Sequence, residues 1–421
     1  MYRITELSNR LRVATAEMPQ MESVSMGLWV GIGGRYEPRR ICGISHFIEH
    51  LLFKGTRRRT AKQISQTVEG IGGYLNAFTS EENTCYYAKA GHKHTDVLLD
   101  VLADMYLHSR FAASDINRER QVIKEELLMY RDQPDHYVHE LLTETVWPGH
   151  PLGRALTGTP ESLDEIERAT LLGFKQRKYV AANTILAVAG RCRHEEIVKM
   201  AERQLSLSGA GAAPEFERAR DGQRAPRLRF LSKDVEQTHL ALAVRGCSRK
   251  DPRRFALKLL SVIAGENMSS RLFQVIREQH GLAYSIQSST SFFADTGALV
   301  VSAGLDTKRL PRALKLVLRE LKKLAARPPS AEELRRAKDY SVGQMRLGLE
   351  STSNQMMWVG EHLLAYGFIH TPLEIQRQIE GVTPEQVRSV AAEMFQDRHL
   401  NGAVITPDKD EDAVNELLTF G

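Results

Sequence analysis

Cysteine is scarce in this chain of 421 residues: there are four, Cys42, Cys85, Cys192 and Cys247. They lie far apart and none forms a C-x-x-C pair. That spacing offers no disulfide framework, so buried thiols in a reducing compartment are expected. No run of 18 apolar residues occurs, which argues against a transmembrane helix. The N-terminus, "MYRITELSNRLRVATAEMP", mixes charges with apolar residues and has no apolar core of a secretory signal. It reads as two strands, around Ile4 and Val13, joined near Ser8-Asn9. A cytoplasmic protein that does not bind membranes is expected. Charge of one sign is also in short supply. The net charge is +5, too small for the basic face of a nucleic-acid binder. "KGTRRRT" reads as a solvated turn before a helix. "VGIGG" is not followed by Lys-Ser/Thr at the spacing of a phosphate loop.

What is present is an ordinary globular composition, 42% hydrophobic and 26% charged. The length suggests two to three domains. The order of elements in the first half recurs in the second. First come strand "SVSMGLWVGI", helix "SHFIEHLLF", helix "AKQISQTVEGIGG", strands "YLNAFTS" and "TCYYAKAG", and helices "HTDVLLDVLADMYLHSRF" and "SDINRERQVIKEELLMYRD". Their counterparts are "THLALAVRG", "PRRFALKLLSVIAG", "SSRLFQVIREQHG", "AYSIQSSTSFF", "GALVVSAG", "RLPRALKLVLRELKKLA" and "SAEELRRAKDYSVGQMRLGLE". Alternating apolar residues support the strands and i, i+3/i+4 spacing supports the helices. The Gly-, Ala- and Pro-rich stretch 207–227 is the best linker. The expected division is a domain over 1–210, a linker over 211–227 and a second domain over 228–421. The expected class is α+β: two homologous α/β sandwiches, each a mixed, mostly antiparallel sheet packed with helices.

The stretch "ISHFIEHLLFKGT" holds residues 44–56. On a helix at about 100° per residue, His46, Glu49 and His50 share an arc of about 100°. Phe47, Ile48, Leu51 and Leu52 fall on the opposite side and should pack inward. Ser45 stands where a cap is expected. Two histidines at i and i+4 can hold one Zn²⁺, and a glutamate beside them can take a proton from a water that the metal activates. The order H-x-x-E-H inverts H-E-x-x-H and is itself a catalytic zinc pattern. The plain alternative is a solvated helix face. With 14 histidines in the chain, the bare pattern arises by chance in about 3% of such sequences.

The motif needs a third ligand. In "SDINRERQVIKEELLMYRD", Glu119 and Glu126 lie two turns apart on one side, with Val122, Ile123, Met129 and Tyr130. An unpaired buried carboxylate costs several kcal/mol. A zinc ion and a zinc-bound histidine would compensate both, so Glu126 is assigned as third ligand and Glu119 as the partner that orients a ligand histidine. The competing reading is a buried ion pair with one of the arginines. Two histidines, a glutamate and a water make an open catalytic site suited to amide hydrolysis.

The sequence resembles the pitrilysin/insulinase family of inverzincin peptidases, which includes mitochondrial processing peptidase. The resemblance rests on "GISHFIEHLLFKGT", "LNAFTSEENTCYYA", "ERQVIKEELLMY" and "SSRLFQVIREQHGLAYSI", and it covers nearly the whole chain. The 76-residue step from His50 to Glu126 fits as well. The resemblance implies one zinc per chain at His46, His50 and Glu126, Glu49 as general base and Glu119 as accessory acid. It implies an endopeptidase acting on peptides or unfolded segments inside a clamshell chamber. It raises Asn76 and Ala77 as positions on a substrate-binding edge strand. It also raises Arg277 and Tyr284 as residues for the substrate carbonyl and the developing oxyanion. From the residues alone, Arg277 is a helix charge and Tyr284 a strand aromatic. The second half lacks the histidines and reads as a degenerate repeat. Glu266-Asn267 stands where relatives often carry glycines. A two-domain chain makes half a chamber, which implies a homodimer, or a heterodimer with an inactive relative. The alternative function is a non-catalytic partner subunit on the same fold.

Overall fold

The structure is a computed structural model that describes residues 2–205 and 214–421. Part of the expected linker, 206–213, lies outside the described residues. Two mixed sheets form the frame. The first has strands β1 (Tyr2–Glu6), β2 (Arg12–Glu17), β3 (Ser23–Val30), β4 (Tyr74–Thr79), β5 (Thr84–Gly91) and β6 (Thr184–Gly190), in the order β1-β2-β6-β3-β5-β4. The second has β7 (Arg227–Ser232), β8 (Thr238–Gly246), β9 (Ala283–Phe292), β10 (Gly297–Leu305) and β11 (Leu400–Thr406), in the order β7-β11-β8-β10-β9. Within each sheet one pair is parallel, β2 with β6 and β7 with β11, and the other pairs are antiparallel. Without β1, the two orders are the same arrangement written twice. The α+β class and the duplication therefore stand.

The helices of the first half include α1 (Ile44–Leu52), α2 (Ala61–Glu69), α3 (Thr95–His108), α4 (Ala113–Arg131) and α5 (Pro134–Val146). In β3, Val24, Met26, Leu28 and Val30 point to one face and join Phe47, Ile48, Leu51 and Leu52 of α1 in a core. Trp29 points to the other face, as the two-residue period of a strand requires. There it meets Ala14, Ala16, Ala187 and Ala189 of neighbouring strands. Those small side chains let a helix approach closely, and the helix Thr352–Tyr366 fills the place with Met356, Val359 and Leu363. The second sheet repeats the device. Its alanine face, Ala241, Ala243 and Ala403, receives Val138, Leu141 and Leu142 of α5.

The compact units are accordingly discontinuous. One comprises Met1–Leu128, Arg154–Glu217 and Leu347–His370; the other comprises Met129–Gly153, Arg218–Arg346 and Thr371–Gly421. Each half of the chain expected from the sequence supplies one sheet, and each lends a helix to the sheet of the other half. The helix expected near 269–281 is wound as a π-helix over Phe273–Gln279. No described helix is long and apolar enough to cross a membrane.

Candidate metal centre

The site starts with α1. Its apolar residues are fully buried, which fixes the rotation of the helix and turns His46, Glu49 and His50 to its other side. Ser45 is not the cap. It lies inside the helix, and the N-cap is Gly43, which has no side chain to offer. The carboxylate of Glu37 caps instead: Gly43 N donates to Oε2 at 2.6 Å and Ser45 N donates to Oε1 at 2.8 Å.

The long helix α4 brings the carboxylates. Its buried stripe is Ile116, Glu119, Ile123 and Leu127. Val122 and Met129, expected on the inward side, are 44% and 49% exposed. The buried stripe is rotated from the expected one, because Glu126 faces the histidines at the edge of the core and not its centre. Glu126 keeps 21% side-chain exposure, whereas Glu119 keeps 2%.

One ligand atom from each of His46, His50 and Glu126 lies within 4.8 Å of the others. Glu126 Oε2 is 3.9 Å from His46 Nε2 and 3.6 Å from His50 Nε2, too long for hydrogen bonds. Donors on a tetrahedral zinc ion with bonds of about 2.0–2.1 Å stand about 3.3 Å apart, so the set fits such an ion with little adjustment. The histidines are suited to bind it. Burial, and then the neighbouring His50, push His46 down to about 3, so its imidazole stays neutral at ordinary pH. Oε2 of Glu119 lies 3.2 Å from His50 Nδ1. If His50 carries its proton on Nδ1, it donates to Glu119 and turns the Nε2 lone pair to the centre. His46 has no such support, since its Nδ1 is buried without a hydrogen-bond partner among the described residues.

Glu49 completes the arc. Burial raises its carboxyl above the usual range, and a 2.5 Å hydrogen bond from Thr79 Oγ1 pulls it back. Thr79 ends β4, an edge strand of its sheet. Asn76 and Ala77 lie on that strand. Asn76 is exposed, and its amide donates to Tyr74 OH at 2.6 Å while its carbonyl accepts from Ala77 N at 2.8 Å.

Arg277 and Tyr284 belong to the second unit, where they neighbour one another. The guanidinium carbon of Arg277 lies 4.8 Å from the Phe273 ring centre and 5.9 Å from that of Tyr284. Tyr284 is 76% exposed, unusual for a large aromatic.

Three contributors escaped the sequence reading. Lys54 Nζ lies 3.0 Å from Oε1 of Glu119 and neutralises it. It stands two residues past the end of α1, so no helical spacing tied it to the motif. Thr79 sits inside the quoted strand "YLNAFTS", but nothing local links it to Glu49. Glu37 carries no local signal, because its partners lie six and eight residues on.

The fold is a duplicated sandwich in which an inverted H-x-x-E-H helix faces Glu126 of a second helix, a group that could hold a metal ion. The comparisons agree. Residues 12–160 match the family described as Insulinase (Peptidase family M16), and residues 165–340 match the Peptidase M16 inactive domain. A protein named "Uncharacterized zinc protease" in Mycobacterium leprae is 37% identical over 406 residues, covering 96% of this chain and 91% of that one. YmxG of Bacillus subtilis, also named a zinc protease, is 35% identical over 393 residues, 92% and 94% of the two chains. The chain belongs to the insulinase (M16) peptidase family. Two solved structures share its fold: a protease from Helicobacter pylori (TM-score 0.90, 23% identity, covering 97% of this chain and 99% of that one) and a Peptidase M16 inactive domain from Pseudomonas fluorescens (TM-score 0.89, 20% identity, 97% and 98%).

Proposed function

We propose that this protein is a zinc endopeptidase that hydrolyses peptides or unfolded segments, with His46, His50 and Glu126 holding one zinc ion per chain. The observation that carries the reading is the meeting of these three side chains, from two helices, beside Glu49. Zinc bound there supplies a Lewis acid that acidifies water and polarises a carbonyl.

The chain's own residues do the rest. Glu49 takes the proton of the attacking water and delivers it to the leaving amine. Thr79 holds Oε2 of that carboxylate and leaves the other oxygen free for the proton. Glu119 fixes the tautomer and ring plane of His50. The free edge of β4 accepts an extended peptide by backbone hydrogen bonds near Asn76 and Ala77. Tyr284 stabilises the developing oxyanion and Arg277 holds the substrate carbonyl. The reading includes a second copy of the chain as partner, which completes a chamber, and a cytoplasmic location consistent with four unpaired cysteines.

The test is cleavage of an unstructured peptide of about 20–30 residues by purified protein, with and without a chelator. Cleavage stopped by the chelator and restored by zinc supports the reading. Stoichiometric zinc uptake with no cleavage of any peptide supports the partner-subunit alternative instead.

A further inference from the structure

We infer that Glu37 is a positioning residue of the metal centre, an inference that rests on the zinc reading of His46, His50 and Glu126. Helix α1 has nine residues and carries both histidines and Glu49. The third ligand comes from a different helix, so the donors meet only if α1 starts at the right height and rotation. A slip of one residue moves a side chain by about 1.5 Å along the axis and 100° around it.

A short helix is ordinarily fixed by a local cap. Thr60 does this for α2, with a reciprocal bond to Gln63. Position 43 cannot. Gly43 has φ +90°, and a Cβ there would stand 2.6 Å from the backbone oxygen of Thr157. The turn at Cys42-Gly43 is wedged against Thr157-Gly158, and Ser162 Oγ donates to Cys42 O at 2.8 Å. With the local cap excluded by packing, the helix takes its acceptor from Glu37.

Glu37 is itself held from both sides. It is 4% exposed, its amide donates to Gly34 O at 3.3 Å, and its carbonyl accepts from Arg154 Nη1 at 2.9 Å. Burying a carboxylate is costly when a hydroxyl cap would serve elsewhere. The expense is accounted for if the two oxygens locate the first turn of α1, in which His46 is the third residue.

The experiment compares wild type with Glu37→Gln, which keeps the volume but turns an NH₂ toward one of the two amides. Thermal unfolding is measured metal-free and zinc-saturated, and zinc affinity by chelator competition. A positioning role predicts a zinc Kd raised about tenfold or more and a smaller zinc-induced rise in Tm. At saturating zinc, kcat should fall while KM changes little. Equal Tm losses in both forms with an unchanged zinc Kd would overturn the inference and leave Glu37 a plain helix cap. Should Glu37→Gln not fold, Arg154→Gln removes the bond to the Glu37 carbonyl and the positive charge near its carboxylate, and leaves both bonds from that carboxylate to α1 in place. It should weaken zinc binding in the same direction by less, and an unchanged Kd there overturns the inference too. Wild-type protein that takes up no zinc is a separate failure, of the site reading itself.

Discussion

His50 Nδ1 lies 3.2 Å from Oε2 of Glu119, a carboxylate with 2% side-chain exposure. With its proton on Nδ1, His50 donates to Glu119 and would leave Nε2 free for a metal. Glu119→Gln keeps the shape but no longer specifies the Nδ1–H tautomer. Zinc affinity should fall about 10–100-fold, read by chelator competition. An unchanged affinity would show that the packing of α1 alone orients the ring.

Lys54 stands on the far side of the same carboxylate, 3.0 Å away. In Lys54→Met, Glu119 loses its cation. The metal-free protein should lose about 1.5–3 kcal/mol, as for a hydrogen bond to a charged group. The zinc-loaded protein should lose less, because positive charge then reaches Glu119 through His50. Denaturant unfolding in both states checks the difference.

Thr79 should set the acidic limb of activity. Glu49 must be ionised to accept a proton, so activity falls as pH drops through its pKa. Burial raises that pKa, and the bond from Thr79 lowers it. Thr79→Val removes the lowering contribution, so the acidic limb of kcat/KM should move to higher pH. A limb that stays in place would assign it to another group.

The helix Thr352–Tyr366 should be sensitive to a single methyl group. A Cβ on Gly360 would run into the indole of Trp29 in β3. Gly360→Ala is predicted to cost about 1–3 kcal/mol by overpacking, despite the usual gain from alanine in a helix. Thermal or denaturant unfolding measures it.

That helix also shows where the sequence stopped being legible. Periodicity located α1 and α4, each with one buried stripe, and apolar runs of strand length located most strands, β3 included, which is buried on both faces. The residues of the candidate centre were legible for the same reason: His46, Glu49 and His50 share one face of a short helix, and Glu119 sits on a buried stripe. The exchange of α5 and Thr352–Tyr366 between sheets was not, since it depends on alanine faces formed by strands distant in sequence. The cap at Glu37 was hidden likewise: Ser45 fits a capping preference, but the N-cap falls two residues earlier, at Gly43. Val122 and Met129 were misplaced because the buried stripe of α4 runs through Ile116, Glu119, Ile123 and Leu127 and turns both away from the core.

The central claim is that one chain holds zinc with His46, His50 and Glu126 and uses Glu49 as its base. The most direct measurement is zinc content and peptide hydrolysis, side by side, for wild type and Glu49→Gln. One zinc per chain is expected in both proteins, with hydrolysis lowered at least about 100-fold in the variant. Hydrolysis at the wild-type rate in Glu49→Gln would contradict it.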